Sequence, residues 1–421
     1  MSKKERIIVV LLAALNFTHI LDFIVMVPLS NYLVSGFNLN AFQWGVLVAS
    51  YSVSAFFSGL VVASIIDRFD RKKFLLIAYI FFLLATLACG LSVNYEMLLI
   101  SRSLAGIFGG VLGAQVLAIV SDLFKYERRG AAMGAVMSAF AIATVVGVPL
   151  SLWLTENFNA NWHIPFLGIV GIGIVLFPLL IKHLPAMNNH AREKEEKRFS
   201  QMFGDVIRMA VKSPAILFSL LFMFGHFLVI PFIPTYLKYN KFFSDTQILY
   251  VLLFGGAASL VSAIALGKFS DKKGKLPVFI WSVICSILLI PILTNMPDMY
   301  FPVALGFFSL LFMVVTVRTV MAQAMISEMV VQEKRGSFMC INGSALQLGQ
   351  GLAALFAGII IHTDKATHKL HNYEWVGYLS IAVLIGSLVL GRIIFRYVDR
   401  NVDEVAAVEE EYENELVKET V

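Results

Sequence analysis

The sequence predicts an all-α membrane protein, with twelve transmembrane helices arranged as two pseudo-symmetric six-helix bundles. Three observations carry that expectation. Hydrophobic residues make up 58% of the 421-residue chain and charged residues 14%, against a charged share of about 25% in soluble domains. Such a chain has too few polar groups to cover a water-facing surface, and its mean hydropathy of +0.80 says the same. Twelve runs are each long enough to cross a bilayer core, which takes about 20 mostly apolar residues. Finally, the second half of the chain repeats features of the first: Asp67 aligns with Asp271 and Arg71 with Lys275 at an offset of 204, and residues 121–130 align with 327–336 at an offset of 206.

Taken in order, the first run spans 7–33. Lys3, Lys4 and Arg6 precede it as the basic end of a signal peptide would. No small-residue cleavage site follows and the run continues past Pro28, so a first spanning helix is expected. Runs at 44–66, 74–92, 97–121, 131–154 and 162–182 complete the first bundle. Runs at 214–237, 247–267, 276–296, 300–327, 337–361 and 374–397 form the second. Pro28, Pro149, Pro178, Pro231, Pro234 and Pro291 fall inside them, which membrane helices tolerate as kinks. The 35 Phe residues read mostly as lipid-facing packing. Cys89, Cys285 and Cys340 sit in apolar stretches and read as small hydrophobes, not as a disulfide set or a zinc site.

The loops set the orientation. With the N-terminus inside, D-R-F-D-R-K-K, K-Y-E-R-R, the basic central segment, G-K-F-S-D-K-K-G-K and Q-E-K-R are all inner loops. The outer loops hold only Lys238, Lys241, Lys365 and Lys369. The positive-inside rule then places both termini in the cytoplasm, in a multi-pass protein of a bacterial inner membrane type. Four parts are expected: an N-terminal bundle (1–182), a cytoplasmic linker (183–213), a C-terminal bundle (214–398) and an acidic cytoplasmic tail (399–421). In the linker, Phe199, Met202, Phe203, Val206 and Ile207 recur at helical spacing, predicting a surface-lying amphipathic helix. Two similar six-helix halves imply a transporter with its site between them at mid-bilayer depth, although repeats also occur in channels.

The motifs then resemble the major facilitator superfamily over nearly the whole chain. The loop after the second span is similar to the family signature G-x-L-a-D-r-x-G-r-k: Asp67, Arg68, Arg71 and Lys72 match, while Ala63 and Asp70 replace its glycines. The second-half copy keeps both, as Gly267 and Gly274. L-L-I-S-R-S-L-A-G in the fourth span resembles the R-x-x-q-G motif of the twelve-helix drug:H⁺ antiporters, with Ala105 at the polar position. T-V-V-G-V-P-L-S in the fifth span resembles the antiporter motif g-x-x-x-G-P-x-x-G-G. It keeps Gly147 and Pro149 but carries Ser151 and Leu152 for the glycine pair, closer to the sugar- and nucleoside-efflux branch. The resemblance implies that the inner-loop charges latch the two halves: Asp67 against the amides opening the eleventh helix, Arg71 with Asp122, and Asp271, Lys275 and Glu328 in the second copy. The lysines also suffice as topology signals.

Asp22 is the most informative residue. A carboxylate at the middle of a membrane helix costs about 2.5–3.5 kcal/mol on insertion scales, and Arg102 in the fourth span is its expected partner. Protonation of Asp22 would release Arg102 and couple H⁺ movement to substrate binding; the same pair also fits a purely structural link between two helices. His226 stands at the repeat position of Asp22 and suits a second proton or substrate contact. His19 lies on the Asp22 face, where it could tune that carboxylate. Arg318, the other cation at membrane depth, should meet an anionic ligand or a carboxylate. Asn16, Gln115, Gln323, Asn342, Gln347 and Gln350 supply amides for a polar ligand or for interhelical contacts. His362, His368 and His371 read as a solvated loop, so no metal is expected. No P-loop or catalytic constellation appears, so no cofactor, ATP use or enzymatic activity is expected.

The leading expectation is a proton-coupled exporter of a small organic molecule such as a drug, sugar, nucleoside or organic acid. It would work as a monomer with protons and the bilayer as partners, and without nucleic acid. A symporter taking up an organic anion or nutrient keeps the same fold; a non-transporting receptor or scaffold is the alternative from another class.

Overall fold

A computed structural model describes residues 3–65, 70–124, 126–159, 161–185, 213–329 and 335–396. Twelve helices are long and apolar enough to cross a membrane. The first bundle contains α1 (Lys3–Gly36), α2 (Ala41–Ile65), α3 (Arg71–Gly90), α4 (Tyr95–Leu123), α5 and α6 (His163–His183). Helix α5 runs from Tyr126–Ile142 through a π-turn at Ala143–Gly147 into Val148–Asn157. The second contains α7 (Pro214–Tyr239), α8 (Asp245–Lys273), α9 (Lys275–Thr294), α10 (Phe301–Glu328), α11 (Arg335–Ile360) and α12 (Tyr373–Phe395). The expected linker helix and acidic tail lie outside the described residues.

Local chemistry explains most of the boundaries. Asp70, which stands where the signature has a glycine, caps α3 by accepting from the Lys72 and Lys73 amides, satisfying donors that a helix start leaves free. Asn94 accepts from the Met97 amide at the start of α4, and Ser244 with Gln247 forms a capping box on α8. Lys72 donates through Nζ to the carbonyls of Ile181 (2.8 Å) and Leu184 (2.5 Å), closing the far end of α6. Proline breaks the helices where its missing N–H removes a bond. Helix α1 is interrupted at Val25, three residues before Pro28. Helix α7 passes through a 3₁₀ turn at Ile230–Phe232, around Pro231. In α5 the π-turn ends at Gly147, two residues before Pro149.

Small residues let the helices meet closely, as membrane packing requires. A Cβ on Gly106 or Gly109 of α4 would collide with Tyr51 of α2, and one on Gly110 with Ala55 and Ser58. Between the bundles, Gly45 of α2 lies against the Ala354 carbonyl of α11, and Gly358 of α11 against the Ala41 carbonyl. The phenylalanines divide between both environments: Phe57, Phe81, Phe254 and Phe356 are exposed on the outside, whereas Phe82, Phe166, Phe218, Phe222, Phe232 and Phe279 are fully buried and supply the apolar volume of the bundle interiors.

An unexpected hairpin joins α11 to α12. Strands β1 (His362–Thr363) and β2 (Leu370–His371) pair antiparallel, with His362 opposite His371. Asn240, at the end of α7, grips it through two bonds to the Leu370 backbone (2.8 and 2.9 Å). Thr363 Oγ1 accepts from the Ala41 amide at the start of α2 (2.9 Å). At the same end Trp44 donates to the Pro231 carbonyl (3.0 Å) and Tyr239 to that of Asn31 (3.5 Å), so the two bundles are joined there. Lys238 and Lys241 are paired with Asp245 and Asp298 at this end.

Candidate functional site between the bundles

Asp22 lies in the last turn of α1 before the break at Val25. An interrupted helix leaves late carbonyls short of helical donors, and Arg102 takes advantage of one. Its Nη1 donates to Asp22 Oδ2 at 2.7 Å and to the Asp22 carbonyl at 3.0 Å. Both side chains are fully buried, and the guanidinium stacks over the Tyr51 ring, 4.6 Å from its centroid. Thr86 and Cys89 of α3 border the same pair. Gly147 of the α5 motif packs where a side chain would strike Leu21, so it lets α5 close on the turn that carries Asp22.

His19 does not reach the carboxylate. Its Nε2 meets Asn16 Oδ1 (2.9 Å), and Asn16 Nδ2 donates to the Val136 carbonyl of α5 (3.0 Å). Three residues along a helix place side chains on one face but let them turn to different partners, and Asn16 is the nearer polar group. Gln115 is fully buried, and its side-chain amide finds no hydrogen-bond partner among the described residues.

The second bundle holds a matching cluster. Arg318 Nη2 lies 2.9 Å from His226 Nδ1, and the guanidinium sits over the Phe222 ring at 5.4 Å. Arginine carries only donors, so Nδ1 accepts and the imidazole proton resides on Nε2. Among the described residues the partner of Arg318 is thus a neutral ring and not a carboxylate. On the adjoining turns Ser219 donates to Asn342 Oδ1, and Asn342 Nδ2 donates to Gln323 Oε1 (3.3 Å). Gln347 and Gln350 each present a buried side-chain carbonyl without a hydrogen-bond partner among the described residues.

Aromatic rings connect the two clusters. Tyr51 contacts Phe23 (5.3 Å between centroids), Phe23 of α1 stacks on Phe227 of α7 (6.0 Å), and Phe227 meets the His226 ring edge-on (5.4 Å). Sequence reasoning singled out both arginines but missed Tyr51 and this bridge. The glycines Gly106, Gly109 and Gly110 were the available signal, since a cleared helix face marks where a bulky neighbour must lie.

Of the proposed latch, Arg71 Nε meets Asp122 Oδ2 at 2.8 Å. This pair joins α3 to α4 within one bundle, so as observed it braces that bundle and does not span the two. Asp67 lies outside the described residues, as do the side chains of Asp271 and Glu328, while Lys275 opens α9. Pro149 sits in the first turn after the π-turn. His362 and His371 face each other on the hairpin, and no group of three metal-ligating side chains occurs among the described residues.

The sequence profile of the Major Facilitator Superfamily matches residues 11–322. The chain belongs to the Major Facilitator Superfamily. As a member it is a multi-pass membrane transporter rather than an enzyme. Among curated relatives, the uncharacterized MFS-type transporter YwfA of Bacillus subtilis is 23% identical over 376 residues, 89% of this chain and 88% of that protein. Multidrug resistance protein 3 of the same organism is 28% identical over 197 residues, 47% of this chain but 36% of that protein, so the match spans about a third of its length. Of solved structures, an inward-facing bacterial homolog of the human lysosomal transporter Spinster superposes with a TM-score of 0.68 at 13% identity, covering 94% of this chain and 98% of the other. A point-mutant form of the nucleoside transporter NupG superposes at 0.69 and 12% identity, covering 92% and 100%. These structures share the superfamily fold.

Proposed function

We propose that this superfamily member is a proton-coupled exporter of a small organic molecule, working by alternating access of its two bundles. The observation that carries the reading is the fully buried Asp22–Arg102 pair at the centre of the first bundle. Taking both charges out of water is costly unless they neutralise each other. A proton delivered to Asp22 removes one charge and leaves Arg102 seeking a new acceptor, so the protonated and deprotonated states favour different packings of α1 and α4. Coupling follows if proton and substrate favour opposite conformers. Export is supported by the Gly147–Pro149 motif and by relatives named for multidrug resistance and efflux.

In this reading the chain sits in a bacterial inner membrane with both termini in the cytoplasm, and the hairpin end faces outward. The contacts of Trp44, Tyr239 and Ala41 then close the outer side, leaving a conformation competent to take substrate from within. The test uses purified full-length protein in liposomes loaded with a pH-sensitive dye. Under an imposed proton gradient, counterflow of protons should accompany movement of at least one of ethidium, uridine, benzoate and uridine monophosphate, and Asp22→Asn should abolish the gradient-driven part of that movement. Gradient-driven transport at the wild-type rate by Asp22→Asn would reject the role of Asp22.

A further inference from the structure

The two buried arginines are not equivalent. Arg102 is neutralised by Asp22 at 2.7 Å. Arg318 is equally buried, at 1% exposure, yet no carboxylate pairs with it among the described residues. Its single hydrogen bond goes to a neutral imidazole, and its Nε and Nη1 have no hydrogen-bond partner among the described residues. Among the described residues the protein thus carries one uncompensated positive charge near the contact between its bundles, with Nε and Nη1 open on either side of the Nη2 that His226 engages, so that the second Nη2 hydrogen and a neighbouring N–H still form a planar fork. An unpaired buried guanidinium is expensive, and such a fork matches the two oxygens of a carboxylate or phosphate.

We propose that Arg318 anchors a binding site for a small organic oxyanion, so that the transported substrate is a carboxylate or phosphate-bearing molecule. His226 takes one of the two Nη2 hydrogens and leaves the other, with a neighbouring N–H, for the ligand. Gln323 lies five positions further along α10, about 7.5 Å down the helix axis. Its Nε2 is likewise buried without a partner, whereas its Oε1 is engaged by Asn342. Five positions also turn Gln323 about 140° around α10 from Arg318, so the charged fork is the anchor and Gln323 is not counted as part of it. The ligand supplies the missing negative charge, so the occupied site is neutral and the bundles can close over it. Phe222 and Phe227 provide flat apolar walls beside the anchor. This inference rests on the transporter reading but not on the proton role of Asp22.

The test is a thermal-shift titration of the purified full-length protein with matched pairs: benzoate against benzamide, and uridine monophosphate against uridine. Dioleoylphosphatidylglycerol forms a separate arm for a lipid-borne phosphate. Stabilisation by at least one soluble anion and not by its neutral mate supports the site, and the responding pair identifies the oxyanion. Arg318→Gln should weaken that binding by about tenfold or more, and Arg318→Lys, which keeps the charge but loses the fork, should weaken it less. Should Arg318→Gln fail to fold, the wild-type pairs and Arg318→Lys still decide. Equal response to anion and neutral mate, a response to the lipid alone, or unchanged affinity in both variants would overturn the proposal. Anion binding that survives in Asp22→Asn, with no proton-driven flux even in wild type, would retain this site and remove the coupling mechanism.

Discussion

Asp22 exchanges all of its hydration for the guanidinium of Arg102, which itself stacks on Tyr51. That trade is tolerable only while Arg102 remains opposite, which makes the two residues a unit. Replacing one partner leaves the other buried and unpaired, a loss of about 3–5 kcal/mol when the survivor is charged. Arg102→Ala should lower thermal stability more than Asp22→Asn, because it removes both hydrogen bonds, the stacking on Tyr51 and a large buried side chain, whereas the asparagine still offers an oxygen to Nη1. A melting comparison of the two variants in detergent checks this, and equal losses would show that the Arg102 contacts beyond the carboxylate add nothing to folding. The same residues give the pH prediction. In the proposed mechanism protonating Asp22 is the coupling step, so the transport rate of the wild type should vary with pH across that titration, and residual facilitated flux in Asp22→Asn should be flat. A retained pH profile in the variant would assign the proton to another group.

At the scale of elements, glycine positions decide how near the helices come. Gly109 on α4 faces the Tyr51 hydroxyl, and Tyr51 in turn supports Arg102. Gly109→Val should push the ring aside at a cost of about 1–3 kcal/mol and weaken the ion pair without touching either charge. The readout is a drop in melting temperature together with impaired proton coupling; an unaltered protein would mean that Tyr51 is free to move. The spanning helices were legible in the sequence because length and apolar content alone determine them, and most predicted ends fall within a few residues of those observed. The α1–α4 ion pair was legible too, since a membrane-embedded charge demands a partner. Less visible were the break at Val25, the hairpin and the partner of Arg318. Each depends on which of several nearby groups a chain segment meets in space. His19 shows the point: its spacing from Asp22 was right, but Asn16 was closer at hand. Asp70 reads as a lost glycine by motif and proves to be a helix cap.

For the whole molecule, the proposed alternating access makes function depend on the balance between closure at its two ends. The hairpin end is held by a few discrete contacts, among them the Ala41 amide to Thr363 Oγ1. Removing that acceptor with Thr363→Val should cost about 1 kcal/mol and raise the fraction open at that end about fivefold. Labelling of a cysteine placed at Asn31 would report the change, and an unchanged labelling rate would show that the hairpin is ornamental to gating. The brace between Arg71 and Asp122 acts on the other side, inside one bundle. Asp122→Asn is expected to lower stability by about 1.5–3 kcal/mol, visible as a lower melting temperature with the outer labelling rate unaffected.

The interruption of α1 at Val25 separates two mechanical tasks within one helix. Below it, the turn bearing Asp22 is anchored to α4 by the two bonds from Arg102. Above it, Met26–Gly36 rests on α7 and is free of that anchor. A swivel at this joint would let the upper lever tilt while the lower one stays bolted, so the mouth of the protein can shut or part before its charge has been spent.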